Sequence, residues 1–321
     1  MSRMSTELSA STRRLALNGP AMGARWSALL HAAPGVDPAP LRAALSAAVE
    51  AVEAEMSVRR PDSDLMRLNR APAGLWVDLP EGLVTVLTMG LAIGRASGGA
   101  FEIGLGDATA AWGFSGTPAD PARIGAALAL RRRPAHELLD LDVANRRVRK
   151  HGPLALDLCG IAKGHGVDRL AEVAQGFGVE SALLAIDGDL RALGPRPDGQ
   201  PWAVALERPD PGCRALHGLL ALEAGAVASS GDYRHWVDLG GRRLSHTMDP
   251  ARGAPLADSP ASVTVLAPRC IEADAWATAL MVLGSAAGAA LARRLGLSAL
   301  FLDREGGEIR ETPVGPGFAC A

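Results

Sequence analysis

The order of predicted elements specifies an α+β protein of mainly antiparallel sheets flanked by helices. Helical and strand patterns come in blocks rather than in strict alternation. The middle of the chain carries many short apolar runs bounded by turn-forming residues. No self-similarity recurs at a solenoid period, and no Pro/Ser-rich linker cuts the chain. A single unit over residues 13–321, behind a flexible tail at 1–12, is therefore expected.

Leu15–Asn18 and Arg25–His31 read as two strands around a turn at Gly19-Pro20. A helix is predicted from Ala39 to Met56: Asp37 is the candidate N-cap, and Leu41, Leu45, Val49, Val52 and Met56 recur at helical spacing. Pro80–Ala96 reads as a second helix ended by Gly98-Gly99, and Ala122–Leu130 as a third. The Arg131-Arg132-Arg133 run after it reads as a solvated helix end. Leu138–Leu141, Arg146–Arg149 and Leu154–Leu158 are predicted strands, and Ile161–Gly176 a helix. Seven further strands are expected at Ser181–Ile186, Leu190–Leu193, Trp202–Leu206, Gly218–Leu222, Ala226–Ser229, Arg242–Ser245 and Ser262–Leu266. Helices Cys270–Leu283 and Ala286–Leu295 and a strand Ala299–Leu302 close the pattern.

Composition bounds the function. Hydrophobic residues make up 48% and charged residues 21%, enough to bury a core and against disorder. A net charge of -2 gives no reason to expect nucleic acid, whose binding needs a clustered basic surface. Lys150 and Lys163 are the only lysines among many arginines, so each is informative. Cys159, Cys213, Cys270 and Cys320 lie far apart with no zinc-type spacing. No apolar segment free of charges and glycines reaches the ~20 residues of a membrane span. The polar start, Met1 to Arg14, has no apolar core of a signal peptide. The expected location is cytoplasmic as written, and periplasmic if the true N-terminus lies further upstream.

Three segments carry candidate chemistry. Leu156-Asp157-Leu158-Cys159-Gly160-Ile161-Ala162-Lys163-Gly164-His165-Gly166 runs from an apolar stretch through a Gly turn into a helix. Such a helix start attracts phosphate, although the glycine spacing is not that of a dinucleotide fold; an ordinary strand–turn–helix fits the same residues. Asp274 and Thr278 stand four apart, on one face of one helix. A carboxylate and a hydroxyl one turn apart suit Mg²⁺, and an Asp that merely favours the helix dipole has the same spacing. The third segment pairs Ser229-Ser230-Gly231-Asp232-Tyr233-Arg234-His235-Trp236 with Ser245-His246-Thr247-Met248-Asp249-Pro250. His246 is a candidate general base, and His235 and His165 compete for that role.

Together these segments resemble the ApbE-like family, the FAD:protein FMN transferases. The agreement runs from Gly19-Pro20-Ala21-Met22-Gly23 through Met56-Ser57, Asp62–Asn69, Gly99-Ala100-Phe101-Glu102, Trp112-Gly113-Phe114 and Asp157–Gly164. It continues through Ser230–Arg234 and Ser245–Pro250 to Ala273–Leu280. Several motifs in the family's order make coincidence an inadequate account.

The resemblance implies an ApbE-like, T-fold-related architecture and a Mg²⁺-dependent transfer of the FMN half of FAD to a Thr or Ser hydroxyl of an acceptor flavoprotein subunit, with AMP released. It implies that Asp274 and Thr278, with backbone carbonyls of Gly160 and Ala162, hold Mg²⁺. Met22, Arg59, Ala100, Phe101, Glu102, Asp157, Lys163 and Met248 match places where relatives contact FAD, and His246 matches the base. Two departures stand out. Arg59 occupies a place where relatives often carry an aromatic, and Glu102-Ile103-Gly104 replaces the commoner Asp-x-Thr. FAD hydrolysis to FMN and AMP at the same site, or flavin binding and delivery without catalysis, are the rival readings.

Overall fold

The structure, a computed structural model, describes residues 12–234, 236–239 and 242–318. The tail expected at 1–12 (residue 12 apart), His235 and Cys320 lie outside them. Its frame is an eight-stranded sheet in which every neighbouring pair is antiparallel. In spatial order the strands are β1 (Arg13–Ala21), β2 (Ala24–Ala32), β3 (Ser181–Ile186), β4 (Asp189–Leu193), β5 (Gly225–Gly231), β6 (Ser262–Ala267), β7 (Ser298–Glu305) and β8 (Glu308–Val314). Helices α1 (Pro38–Met56), α2 (Glu81–Ala96), α3 (Ala162–Gly176) and α4 (Cys270–Leu295) bury their apolar faces in the core. The predicted fold class is the one observed.

Three hairpins close through two residues that both have positive φ: Met22-Gly23 (47°, 76°), Asp187-Gly188 (50°, 97°) and Gly306-Gly307 (60°, 89°). That conformation matches the strand twist. Proline, with φ fixed near −65°, cannot adopt it, so the first turn falls at Met22-Gly23 and not at Gly19-Pro20. Those two residues lie inside β1 instead. Pro20 is tolerated because β1 is an edge strand. Gly19 makes room for Trp26: a Cβ there would sit 2.6 Å from the indole nitrogen.

Ala182, Leu184 and Ile186 of β3 face α1 and α3, while Leu183 faces the other way. On that opposite side a two-stranded arm, Trp202–Arg208 with Ala215–Leu222, lays Trp202, Val204, Leu220 and Leu222 against the sheet. The arm's register slips at His217, so Glu207 faces Leu216.

Helix α1 is capped by Asp37, whose carboxylate accepts from Ala39 N. Gly98 and Gly99, both at positive φ, end α2. Helix α4 is interrupted at Gly284 (φ 74°, ψ 171°), between the two helices expected from the sequence. Its 26 residues are long and apolar enough to cross a membrane by length and composition alone, although charges and glycines interrupt them. Ile271, Ala275, Ala279 and Leu280 are buried in the protein's own core, which accounts for the apolar pattern.

Two expectations fail locally. Leu154–Leu158 pairs with no strand among the described residues. Its hydrogen bonds go to loops and to Asn69: the Asn69 amide donates to Leu156 O at 2.9 Å, and Leu156 N donates to Asn69 Oδ1 at 2.7 Å. Arg132 is not solvated. It grips both oxygens of Asp107 at 2.7 and 2.9 Å, its side chain 11% exposed. Short helices at Asp64–Arg70 and Gly106–Ala111 and the edge strand β8 had no strong periodic signal.

Candidate active site

One end of the sheet gathers the candidate residues. The Asp187-Gly188 turn lies there, and β5 runs past the end of β4 to carry Ser229, Ser230 and Gly231 beside it. A cleft of about 620 Å³ opens at this end, a size suited to a nucleotide-like ligand. It is lined by Arg59, Ala100, Phe101, Glu102, Asp157, Gly160, Lys163, His246, Met248, Asp274 and Thr278. Of the thirteen predicted site residues, only Met22 and Ala162 are missing from that lining. Ala162 is buried in the core below. Met22 packs behind the loop, its sulfur 3.6 Å from where a Cβ on Gly166 would be.

The turn and α4 meet closely. A Cβ on Gly160 would lie 3.1 Å from Thr278 Oγ1 and 3.3 Å from the Phe101 ring, so the backbone there can approach only because residue 160 has no side chain. Thr278 Oγ1 also lies 3.2 Å from Ser230 Oγ. The Gly164 amide, in the first turn of α3, donates to Asp274 Oδ2 at 2.9 Å. In return, Asp168 of α3 accepts from Cys270 N and Ile271 N at 3.0 Å each and caps α4. Arg191 holds the same carboxylate at 2.6 Å. The two helices therefore cap one another, and the exchange fixes where Asp274 points.

Asp274 is 5% exposed. Burial and the nearby Asp189 push its carboxyl up to about 7, while Lys163 and the Gly164 amide pull the other way. Lys163 Nζ lies 3.0 Å from Asp189 Oδ2 and 3.9 Å from Asp187 Oδ2. Burial opposes its charge, but Asp189, Asp274 and Asp187 outweigh that and hold its pKa above the usual lysine value. Asp189 in turn accepts from Ser229 N at 3.3 Å. Three carboxylates thus share one ammonium, so the cluster has room for a further positive charge.

The donors suit a hard divalent ion: one buried carboxylate short of positive charge, one hydroxyl, and a glycine turn against it. Among the described residues no group of three or more His, Cys, Asp or Glu side chains is placed to hold a metal. A site here would depend on mixed oxygen donors.

Other predicted residues serve the walls. Glu102 lines the cleft, but its carboxylate accepts from Gly104 N at 2.7 Å and from Ala135 N at 3.1 Å, which pins the loop where the usual motif is replaced. Burial raises its pKa. Asp157 Oδ1 accepts from Cys159 N at 2.8 Å and shapes the turn. Arg59 reaches along the cleft: Cβ atoms on Gly116 and Gly23 would lie 3.5 and 3.7 Å from its side chain.

His246 lines the cleft, whereas His165 is buried behind it. The Nδ1 of His165 has no hydrogen-bond partner among the described residues, and burial lowers its pKa to about 4, so it is not placed to act as the base. Asp168, Asp189, Ser230 and Tyr233 carried no individual role in the sequence. Ser230 and Tyr233 lie within the Ser230–Arg234 motif and Asp168 closes the segment that begins at Leu156, so each could have been flagged; Asp189 lies in no such motif.

Comparison with known proteins identifies the family and the fold. The ApbE family model matches residues 22–301. A Klebsiella pneumoniae protein described as an FAD:protein FMN transferase is 32% identical, covering 98% of this chain and 91% of its own. An Escherichia coli protein of the same description is 32% identical over 94% of this chain and 87% of its own. Among solved structures, the Vibrio cholerae flavin transferase ApbE superposes with a TM-score of 0.84 at 30% identity, over 94% of this chain and 97% of that one. The apo flavinyl transferase ApbE of Pseudomonas stutzeri gives 0.83 at 34% identity, over 94% and 95%.

Proposed function

The chain belongs to the ApbE family, and from that premise we propose that it transfers the FMN half of FAD to a Thr or Ser hydroxyl of an acceptor protein in a Mg²⁺-dependent reaction. The observation that carries the proposal is the meeting of Asp274, Thr278 and the Gly160 turn in a cleft that also holds Lys163 and His246.

In this reading the acceptor oxygen bonds to the phosphorus of the FMN half. The phosphoanhydride bond to the AMP half breaks, and AMP leaves with the bridging oxygen. His246 takes the hydroxyl proton as attack proceeds, since a free hydroxyl is too weak an acid to ionise beforehand. Lys163, fixed by Asp189, faces the pyrophosphate charge. Arg59, Ala100, Phe101, Asp157 and Met248 border the flavin, and Glu102 holds the loop that carries Ala100 and Phe101. Asp274, Thr278 and a backbone carbonyl from the Gly160–Ala162 turn would hold Mg²⁺, which when bound supplies charge neutralisation at the phosphate oxygens. Rate acceleration would come mainly from positioning and electrostatics.

The test is incubation with FAD, Mg²⁺ and candidate acceptor proteins, read by intact mass. The expected product is an acceptor heavier by one FMN phosphoryl group, with AMP in equal amount. Free FMN and AMP with an unmodified acceptor would instead establish a pyrophosphatase.

A further inference from the structure

Tyr233 is the only tyrosine in the chain, and it lines the cleft. Its ring lies against Gly231: a Cβ there would sit 2.6 Å from one ring carbon and 2.9 Å from the next. The hydroxyl donates to Glu207 Oε2 at 3.2 Å. Arg234 donates to the same oxygen, from Nε at 2.9 Å and also from Nη2. Glu207 sits in the arm strand Trp202–Arg208, on the side away from the buried Trp202 and Val204. On the loop's other flank, Arg304 of β7 grips Asp232 through two bonds of 2.8 and 2.9 Å and donates to Pro209 O at 2.5 Å. Residues 232–234 are thus held between two ion pairs whose outer partners, Glu207 and Arg304, do not line the cleft.

We infer that Glu207 is a positioning residue that fixes Tyr233 and Arg234 as the wall against which the acceptor polypeptide is laid. The inference rests on the proposed transfer reaction. An attacking hydroxyl must come within about 3 Å of the base, so the acceptor must enter the cleft that His246 lines. Ser230, which touches Thr278, lines the cleft together with Tyr233, Arg234, Trp236 and His246. The residues that border the flavin come from other parts of the chain, Met248 excepted. Burial raises the Tyr233 pKa, so the wall offers a neutral ring and a cation rather than a phenolate.

A lone tyrosine makes the test direct. Protein labelled with 3-fluorotyrosine gives one ¹⁹F resonance. Glu207→Ala should shift and broaden it, while Glu207→Gln, which keeps an oxygen for the hydroxyl, should return it close to the wild-type position. With the flavin-free form of an acceptor of the Escherichia coli relative as probe, Glu207→Ala should lower kcat/KM for the acceptor at least tenfold, chiefly through KM. Its Kd for FAD should stay within twofold, and Glu207→Gln should recover most of the loss. An unmoved resonance in Glu207→Ala, a resonance shifted as far by FAD alone, or a tenfold weaker Kd for FAD would each overturn the inference. If wild-type protein leaves the probe unmodified, the transfer reading fails, whereas the resonance criteria judge the wall by themselves.

Discussion

Gly164 and Asp274 are joined twice. The Gly164 amide donates to Asp274 Oδ2 at 2.9 Å, and a Cβ on Gly164 would lie 2.8 Å from Asp274 Cβ and 2.3 Å from the carbonyl oxygen of Cys270. Helices α3 and α4 approach this closely only because residue 164 has no side chain. Gly164→Ala must push them apart. Overpacking of this kind costs about 1–3 kcal/mol, so Tm should fall measurably by calorimetry. Transfer should fall further than stability explains, since Asp274 moves with α4.

Asp274→Asn should abolish Mg²⁺-dependent turnover, a loss of at least about 10²-fold by analogy with other electrostatic contacts. It should also remove a pH signature. With no cation present, burial and Asp189 raise the carboxyl to about 7. A group whose folded pKa is raised contributes stability below its unfolded pKa that is lost as pH rises through the folded value. Mg²⁺ offsets that loss because it binds the ionised form. The rise in Tm on adding Mg²⁺ should therefore be larger at pH 8 than at pH 6 in wild-type protein, and absent at both in the variant.

His246→Ala should slow transfer by about 10²–10⁴-fold, the usual share of a general base, with Kd for FAD changed little. Single-turnover kinetics with saturating FAD separate the two. An unchanged rate would move the proton elsewhere. Asp232 is a poor second choice, since Arg304 occupies both of its oxygens.

Asp168 touches nothing in the cleft, yet its loss should be felt there. Asp168→Ala removes the acceptor for Cys270 N and Ile271 N and leaves Arg191 without its partner. Breaking a buried pair typically costs about 3–5 kcal/mol. Denaturant unfolding should show that loss, and isothermal titration should show weaker Mg²⁺ binding in protein that still folds.

His165 predicts acid sensitivity. Burial lowers its pKa from 6.5 to about 4. The folded state holds the ring neutral while the unfolded state takes up a proton, so stability is complete above pH 6.5 and is lost as pH falls towards 4. At 1.36 kcal/mol per pKa unit the loss reaches about 3 kcal/mol. His165→Gln should flatten that part of the stability curve measured by urea unfolding.

Much of the fold was legible because burial leaves a period in the sequence. The apolar spacing of α1, the length of β3, and the division of α4 near Gly284 followed directly from such patterns. Turn geometry was not legible: Gly19-Pro20 has a turn's composition, yet the hairpin closes at Met22-Gly23 because both turn residues need positive φ. Leu154–Leu158 has a strand's composition, but Asn69 satisfies its backbone and no strand does. The two lysines were informative in different ways. Lys163 faces the cleft, whereas Lys150 is buried and donates to Asn69 O at 2.8 Å, a structural use of a compact ammonium.

The sequence by itself determined the class of fold, the family, and which side chains would gather: these depend on local periodicity and on motifs contiguous in the chain. Tertiary structure alone decided the electrostatics. Asp189 and Asp168 belong to no spacing rule, because their partners lie far along the chain. Lys163 meets Asp189 only when β4 returns beside α3, and Asp168 reaches Cys270 only when α4 docks 102 residues later. Contacts of that range are set by how helices and sheet pack, which no local pattern encodes.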